Sequence, residues 1–96
     1  MAKYILLVNW TDQGVKNVKE SPKRLDSARK LAETCGAKMG DFYMTMGGYD
    51  MVTHLEAPDD ATVARFILNL SGAGNVRTQT LKAFSEDEYR KILGAL

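Results

Sequence analysis

Two adjacent glycines, Gly47 and Gly48, separate two segments that have the composition of β-strands, Asp41–Met46 and Met51–Ala57. Glycine adopts positive φ angles without a steric cost, so a glycine pair at this position favours a tight hairpin between the two strands. Apolar and polar side chains alternate in both segments, as expected where one face of a sheet is covered. The hairpin constrains the fold, because the rest of the chain must supply the other strands of the same antiparallel sheet.

The segment before the hairpin supplies a central strand and a long helix. Tyr4–Trp10 is apolar at both alternating sets of positions, which indicates a strand covered on both faces. Thr11 is placed to cap a short helical turn. Ser21-Pro22 then favours a helix start, since serine caps helices and proline suits the first helical position. Apolar residues at helical spacing follow until Gly36, which ends the helix.

The segment after the hairpin repeats this plan. Pro58-Asp59-Asp60 favours a helix start, with acidic residues at the positive end of the helix dipole, and Ser71–Gly74 breaks the helical pattern. Asn75–Phe84 is a fourth strand with enough polar residues to lie at a sheet edge. Ser85–Glu88 is a capping box, and it predicts a C-terminal amphipathic helix.

The order β-α-β-β-α-β-α predicts an α+β fold. Right-handed crossovers joined by one hairpin give a four-stranded antiparallel, ferredoxin-like sheet with the crossover helices on one face. The other face is expected to be too apolar for water, since Tyr4–Trp10 is apolar on both sides and Tyr43 lies opposite the row Phe42, Met44 and Met46. A short C-terminal helix cannot cover four strands. Because large exposed apolar patches are rare on monomers, we expect a homo-oligomer, most simply a dimer, formed through this face.

Length and composition limit the classes of function. The chain has 96 residues, enough for one domain over residues 1–96 with a modest core. Cys35 is the only cysteine and His54 the only histidine, so neither an intrachain disulfide nor a cysteine-rich or histidine-rich metal site is expected. No cofactor is implied. A lone thiol is most simply housed in the reducing cytoplasm.

Neither nucleic acid nor a membrane is expected as a partner. The formal net charge of +1 gives no general attraction to anionic surfaces. RNA-recognition modules share the βαββαβ order, but they stack bases on aromatic residues of their central strands, and Met51–Ala57 has no aromatic residue. The apolar run near the N-terminus is too short for a signal peptide or a bilayer span.

Five residues are candidates for contacts with a small ligand: Trp10, Gly48, Tyr49, Asp50 and His54. Tyr49 and Asp50 would place a phenol and a carboxylate at the mouth of a pocket, but turn chemistry explains both equally well. Trp10 offers stacking area at the end of its strand, although tryptophan is more often a core residue. His54 shares a strand face with a glutamate, but a hydrogen-bonded or partly exposed strand histidine is the simpler interpretation. No catalytic constellation is recognisable.

Five short segments carry a family resemblance. In chain order they are Asn9-Trp10-Thr11-Asp12-Gln13-Gly14, Ser21-Pro22-Lys23-Arg24, Gly47-Gly48-Tyr49-Asp50, Glu56-Ala57-Pro58-Asp59-Asp60 and Gly74-Asn75-Val76-Arg77-Thr78. On these segments the chain resembles the GYD domain family over almost its whole length. That family is similar to the ferredoxin-like, dimeric α+β barrel proteins, so the resemblance implies that two sheets associate face to face. It implies no biochemical function, and His54 stands where the family is expected to have a small or aliphatic residue.

The sequence leaves two functions open. The first is a homo-oligomeric domain that holds a small organic molecule between its sheet and its helices, with the five candidate residues as contacts. If it acts on that molecule, the dimeric α+β barrel relatives imply oxygenation, isomerisation or decarboxylation without a cofactor. The second is a non-catalytic regulatory or interaction module that acts only through oligomerisation. A cavity of about 300 Å³ or more with converging polar groups favours the first function, and a packed interior favours the second.

Overall fold

The computed structural model describes residues 1–96 and contains one four-stranded sheet. Its elements in chain order are β1 (Ala2–Trp10), α1 (Asp12–Lys16), a 3₁₀ turn (Val18–Glu20), α2 (Ser21–Cys35), β2 (Lys38–Met44), β3 (Met51–Ala57), α3 (Asp60–Gly72), β4 (Val76–Ala83) and α4 (Glu86–Gly94). All strand pairs are antiparallel, and the sheet order is β2-β3-β1-β4. The predicted α+β fold is confirmed, with β1 in the interior of the sheet and β4 at an edge.

Most helices begin and end at the residues that the sequence indicated, but the predicted cap at Ser21 is wrong. Helix α2 starts at Ser21 itself, Glu20 takes the cap position without a side-chain hydrogen bond, and Ser21 Oγ instead accepts from Trp10 Nε1. Thr11 and Asp59 each accept a hydrogen bond from the backbone N–H three residues on, at 3.1 and 2.8 Å. Ser85 and Glu88 form the reciprocal bonds of a capping box, at 3.2 and 3.0 Å. Gly36 ends α2 with a φ of 91°, which favours glycine. None of these helices has the length and apolar character that crossing a bilayer requires.

The connection between β2 and β3 is wider than the tight glycine hairpin that the sequence predicted. β2 ends at Met44, and a six-residue loop, Thr45–Asp50, is closed by hydrogen bonds from Thr45 to the carbonyl oxygens of Asp50 (2.8 Å) and Tyr49 (2.6 Å). Only Gly47 of the glycine pair has a positive φ, 141°, so the pair does not form a two-residue turn. The prediction of a single apolar row along this strand was therefore wrong at its end. Met46 lies in the loop and is 95% exposed.

β2 differs from the prediction at its start as well. It begins at Lys38 rather than Asp41, and its pairing with β3 shifts register between Met39 and Phe42. The extra residue interrupts the regular alternation of side chains along this edge strand. The sequence showed no sign of this irregularity, because a bulge depends on the partner strand.

The hydrophobic core lies between the sheet and the helices α2 and α3. The strands contribute Tyr4, Leu6, Val8, Met51, Leu55 and Ala57, and the helices contribute Ala32, Val63 and Phe66. Leu6, Leu55 and Phe66 are the largest fully buried side chains. Each such burial contributes about 1.5–3 kcal/mol, so these three residues hold the helices against the sheet.

The other side of the sheet carries neither α2 nor α3 and is called the open face below. It presents Ile5 and Leu7 from β1, Tyr43 from β2, Val52 and His54 from β3, and Gln79 and Leu81 from β4. The strand register places Ile5 between His54 and Leu81, and Leu7 between Val52 and Gln79. Apolar side chains thus form a continuous patch across neighbouring strands of this face.

The C-terminal helix α4 does not cover the open face. No residue of α4 is buried, and α4 makes no extensive contact with another helix or strand. Its apolar residues Tyr89, Ile92 and Leu93 are each about half exposed. Both the open face and the apolar side of α4 therefore lack a partner within the chain.

Gly14 is a point of close backbone packing between α1 and the segment that leads into β4. A β-carbon on Gly14 would lie 2.1 Å from the carbonyl oxygen of Asn75, which is far inside van der Waals contact. We expect Gly14→Ala to lower the free energy of unfolding by about 1–3 kcal/mol or more, as overpacking does. Gly72→Ala is the matched control, because a β-carbon there meets no atom within 4 Å. Urea denaturation measures both variants, and equal stabilities would contradict the close packing.

A polar cluster joins β1, α3 and β4 beside the core. The Tyr4 hydroxyl donates a hydrogen bond to the Asp60 carboxylate. Lys82 Nζ lies 3.5 Å from Asp60 Oδ1 and 4.9 Å from the centre of the Tyr4 ring. The hydrogen bond from Tyr4, followed by the charge of Lys82, lowers the pKa of Asp60. The same hydrogen bond raises the pKa of Tyr4, because it favours the neutral phenol.

This cluster predicts a pH-dependent effect of Tyr4→Phe. Because the pKa of Asp60 is lower in the folded protein than in the unfolded chain, its ionised carboxylate stabilises the fold. This stabilisation is fully present above the ordinary carboxyl pKa, and it is lost as the pH falls through the lowered pKa of the folded state. The difference in Tm between the wild type and Tyr4→Phe should therefore be largest at neutral pH and should shrink below about pH 4. Calorimetry across this range tests it. Tyr43→Phe, which removes a hydroxyl on the open face, should show no such trend, and a constant difference for Tyr4→Phe would exclude the coupling to Asp60.

Candidate functional site

Four of the five segments that carry the family resemblance meet at the carboxyl end of β1. The backbone N–H of Thr11 donates to the carbonyl oxygen of Asn75 at 3.0 Å, and its hydroxyl donates to the carbonyl oxygen of Gly74 at 2.5 Å. Trp10 Nε1 donates to Ser21 Oγ at 3.4 Å, and the Trp10 N–H donates to Asp50 Oδ2 at 3.0 Å. Segments distant in sequence thus converge on one corner of the domain.

Asp50 fastens the loop between β2 and β3 to the end of β1. Besides accepting from Trp10, it donates its own N–H to the Val8 carbonyl oxygen and to Asn9 Oδ1, both at 3.0 Å. Asn9 Nδ2 in turn donates to the carbonyl oxygen of Gly48 at 3.3 Å. Pairing of β1 with β3 ends at Val8 and Met51. The hydrogen bond from Trp10 to the Asp50 carboxylate therefore links the two segments past their last strand pair.

Tyr49 lies on the open-face side of this corner. Its hydroxyl donates to Gln79 Oε1 on β4 at 2.6 Å. Gln79 pairs with Leu7 of β1, and β1 separates β3 from β4. The Tyr49 side chain therefore crosses β1 on the open face.

His54 also lies on the open face, opposite Ile5 and in the interior of the sheet. Its side chain is exposed, and its ring makes no hydrogen bond within the chain. No group of three His, Cys, Asp or Glu side chains is close enough together to hold a metal ion. His54 thus has no neighbour that would orient or activate it.

A cleft opens on the other side of the sheet, between the sheet and the helices α2 and α3. Its volume is about 230 Å³, and 13 of its 19 lining residues are hydrophobic. Leu6 and Val8 of β1 line it together with Leu31 of α2, Phe42 of β2 and Phe66 of α3. The volume is below the roughly 300 Å³ at which drug-sized sites begin, but above the roughly 150 Å³ of an apolar cavity that holds benzene.

The polar groups of the cleft gather mainly at one end. Ser21 and Arg24 lie in the first turns of α2, while Asn69 and Asn75 lie near the end of α3 and just beyond it. In an antiparallel ferredoxin-like order, the start of α2 and the end of α3 both lie at the carboxyl end of β1. The cleft is thus apolar along β1 and polar where β1 ends.

Arg24 is the only charged residue that lines the cleft. Its guanidinium donates to the carbonyl oxygens of Asn17 at 2.9 Å and Gly14 at 3.1 Å, which ties α2 to the preceding turn. It makes no salt bridge with any acidic side chain, since the ion pairs of the chain involve other residues. The positive charge at this end of the cleft is therefore not neutralised by a carboxylate of the chain.

The five residues predicted to contact a ligand do not line one pocket. Trp10 lines the cleft, whereas Gly48 and Asp50 lie in the adjoining loop, and Tyr49 and His54 lie on the open face. Their role as ligand contacts stays a prediction. The sequence reasoning did not identify Arg24 and Asn75 as lining residues, although both belong to segments that carried the resemblance. Their positions beside Trp10 arise from contacts between distant parts of the chain, which their own spacing does not reveal.

The Asp50 hydrogen bond predicts different effects for two substitutions. Asp50→Ala should leave the Trp10 N–H without its partner and lower the free energy of unfolding by about 1–3 kcal/mol. Asp50→Asn retains an acceptor oxygen at the same position and should lose clearly less. Urea denaturation of both variants tests this, and equal losses would show that the carboxylate charge matters rather than the hydrogen bond.

Comparison with curated proteins finds a relative whose name describes protein binding. The chain is 37% identical over 84 residues to the "Glutamine synthetase and cystathionine beta-lyase binding protein" of Thermus thermophilus. The alignment covers 86% of this chain and 88% of that protein.

Solved structures share the fold at low sequence identity. MtbAldR superposes with a TM-score of 0.68 at 16% identity, covering 88% of this chain and 52% of that one. The feast or famine regulatory protein from M. tuberculosis gives 0.64 at 16% identity, covering 91% and 54%. A protein from Thermus thermophilus gives 0.57 at 18% identity, covering 88% and 95%. The chain spans about half the length of the first two, and at these identities the likeness confirms the ferredoxin-like fold alone.

The family assignment rests on the match along the chain. The model of the GYD domain matches residues 4–93, a range that includes all five segments identified in the sequence. With the 37% identical relative, this match confirms the resemblance. The chain belongs to the GYD domain family.

Proposed function

We propose that this GYD domain is a non-catalytic interaction module that self-associates through its open face and, once associated, binds other proteins. The observation that carries the proposal is the partly exposed apolar patch of Ile5, Leu7, Val52 and Leu81 on the open face, which no helix covers. Apolar surface of this kind is stabilised by removal from water, and a second copy of the chain offers a complementary sheet.

The area of the open face indicates whether this face alone is large enough for a stable interface between two copies. Four strands of 7 to 9 residues, with a rise of about 3.3 Å per residue and a spacing of about 4.8 Å, present a face of about 500 Å². A stable interface buries about 800 Å² on each partner. The half-exposed side of α4, with Tyr89, Ile92 and Leu93, is a further apolar surface that lacks a partner within the chain. We therefore infer that α4 contributes to the same association.

The Thermus thermophilus relative supports the protein-binding part of the proposal. Its name states that it binds glutamine synthetase and cystathionine beta-lyase, and it aligns with 86% of this chain. We propose that this chain likewise binds enzymes of amino acid metabolism. Cys35 is the only cysteine, so no disulfide cross-links the chain, and we place this activity in the reducing cytoplasm.

A second candidate function is the binding of a small organic molecule between the sheet and the helices. The cleft of about 230 Å³, with Trp10 in its wall and polar groups at one end, is the observation that favours it. The two functions use opposite sides of the sheet, so the second does not compete with the first.

The self-association predicts the effect of a charge on the open face. Leu81, which is 40% exposed, would be buried in the interface, so Leu81→Lys should weaken association by about 100-fold or more through an unpaired buried charge. Leu68→Lys is the matched control, because Leu68 lies on α3 and is 73% exposed. Sedimentation velocity gives the mass of the wild type and of both variants in solution. Surface plasmon resonance then measures their binding to glutamine synthetase and cystathionine beta-lyase from the organism that encodes this chain.

Each part of the proposal has its own contrary result. A wild-type protein that sediments as a single subunit, or equal sedimentation of the two lysine variants, would contradict association through the open face. An associated wild type that binds neither enzyme would contradict the proposed partners.

A further inference from the structure

We propose that the cleft between the sheet and the helices α2 and α3 is a binding site for a small monocarboxylate with an apolar chain. The carboxylate would lie at the end of the cleft near Arg24, and the apolar chain would lie along β1. This inference deepens the small-molecule part of the proposed function and rests on it. It is independent of the self-association through the open face.

The volume of the cleft sets the size of the ligand. An apolar cavity of about 150 Å³ holds benzene, which has six carbon atoms. Scaling to the 230 Å³ of this cleft gives a ligand of about nine non-hydrogen atoms. Medium-chain acids such as hexanoate and octanoate have this size.

The distribution of polar groups sets the shape of the ligand. Leu6, Leu31, Phe42 and Phe66 offer no hydrogen bond from their side chains, so the part of the ligand against them must be apolar. Four of the six polar lining residues, Ser21, Arg24, Asn69 and Asn75, lie at the end where β1 stops. Of the other two, Thr53 donates its hydroxyl to the carbonyl oxygen of Asp41, and Ser27 is an exposed residue of α2. A molecule with a single polar head matches this arrangement, and one with polar groups at both ends does not.

The charge of the cleft sets the head group. Arg24 is the only charged residue of the lining, and the lining contains neither aspartate nor glutamate. The guanidinium of Arg24 has five N–H donors, and its hydrogen bonds to two carbonyl oxygens use two of them. The nearby acid Glu20 pairs with Lys23 at 3.6 Å instead of with Arg24. Arginine recognises carboxylates through its planar set of donors, so a carboxylate complements this end of the cleft.

The experiment compares head groups on one apolar chain. Hexanoate, octanoate, hexanamide and hexylamine are each titrated into the wild-type protein up to millimolar concentrations, with binding followed by calorimetry and by protein NMR shifts. We expect saturable binding of the two carboxylates, at least about tenfold weaker binding of hexanamide, and no binding of hexylamine, which would bring a second positive charge to Arg24.

Three variants locate the site. Arg24→Gln should abolish the preference for carboxylate over amide, and Arg24→Lys should restore part of it. Lys23→Gln is the matched control, since it removes the same charge from an exposed neighbour that does not line the cleft, and it should bind like the wild type. Ala28→Leu fills the cleft from the buried face of α2 and should weaken all binding while Arg24 remains. This variant keeps the test valid if Arg24→Gln fails to fold.

The outcomes separate this inference from the functions on which it builds. Equal binding of carboxylate and amide, or carboxylate binding that Ala28→Leu leaves unchanged, would overturn the assignment of a monocarboxylate to this cleft. Absence of binding for every probe would overturn both this inference and the small-molecule function. Sedimentation of the same samples measures self-association, and it tests the proposed interaction module whatever the result of the ligand titrations.

Discussion

Burial of the sheet on one side only is the constraint on which the rest of the structure depends. The helices α2 and α3 cover one face of the sheet, where Leu6, Leu55 and Phe66 are fully buried. β1 has apolar side chains on its other face too, and α4 leaves them uncovered. A core this small leaves little reserve of stability, because domains of this length bury a modest share of their surface. The association proposed above, of two copies through the open face, would supply the burial that one chain lacks.

Hydrogen bonds at the end of β1 determine how the two sides of the sheet are joined. Trp10 faces the cleft, while its neighbour Asn9 holds the loop whose Tyr49 crosses the open face. Alternation of side chains along a strand puts these neighbours on opposite sides. Asp50 accepts from the Trp10 N–H and donates to the Asn9 side chain, so this one residue orders the cleft end and the edge of the open face together.

The sequence predicted the features that depend on local chemistry. Thr11, Asp59 and the Ser85–Glu88 capping box begin helices because their side chains bond to backbone groups only three residues away. The alternation of Met51–Ala57 predicted its buried and outward positions, because successive side chains of a strand point to opposite faces of the sheet. The sequence did not predict the six-residue loop or the cleft end near Arg24. The loop depends on contacts such as that between Tyr49 and Gln79, which are 30 residues apart. The cleft end depends on contacts such as that between Thr11 and Gly74, which are 63 residues apart.

The register shift of β2 between Met39 and Phe42 has a consequence for how copies of the chain meet. A regular edge strand presents an unbroken row of N–H and C=O groups onto which another sheet can add, and repeated addition produces fibrils. The bulge breaks this row on one border of the sheet, and on the other border β4 carries Arg77 and Lys82. Lateral growth is thereby discouraged at both borders, so the proposed association through the open face would favour closed, finite pairs.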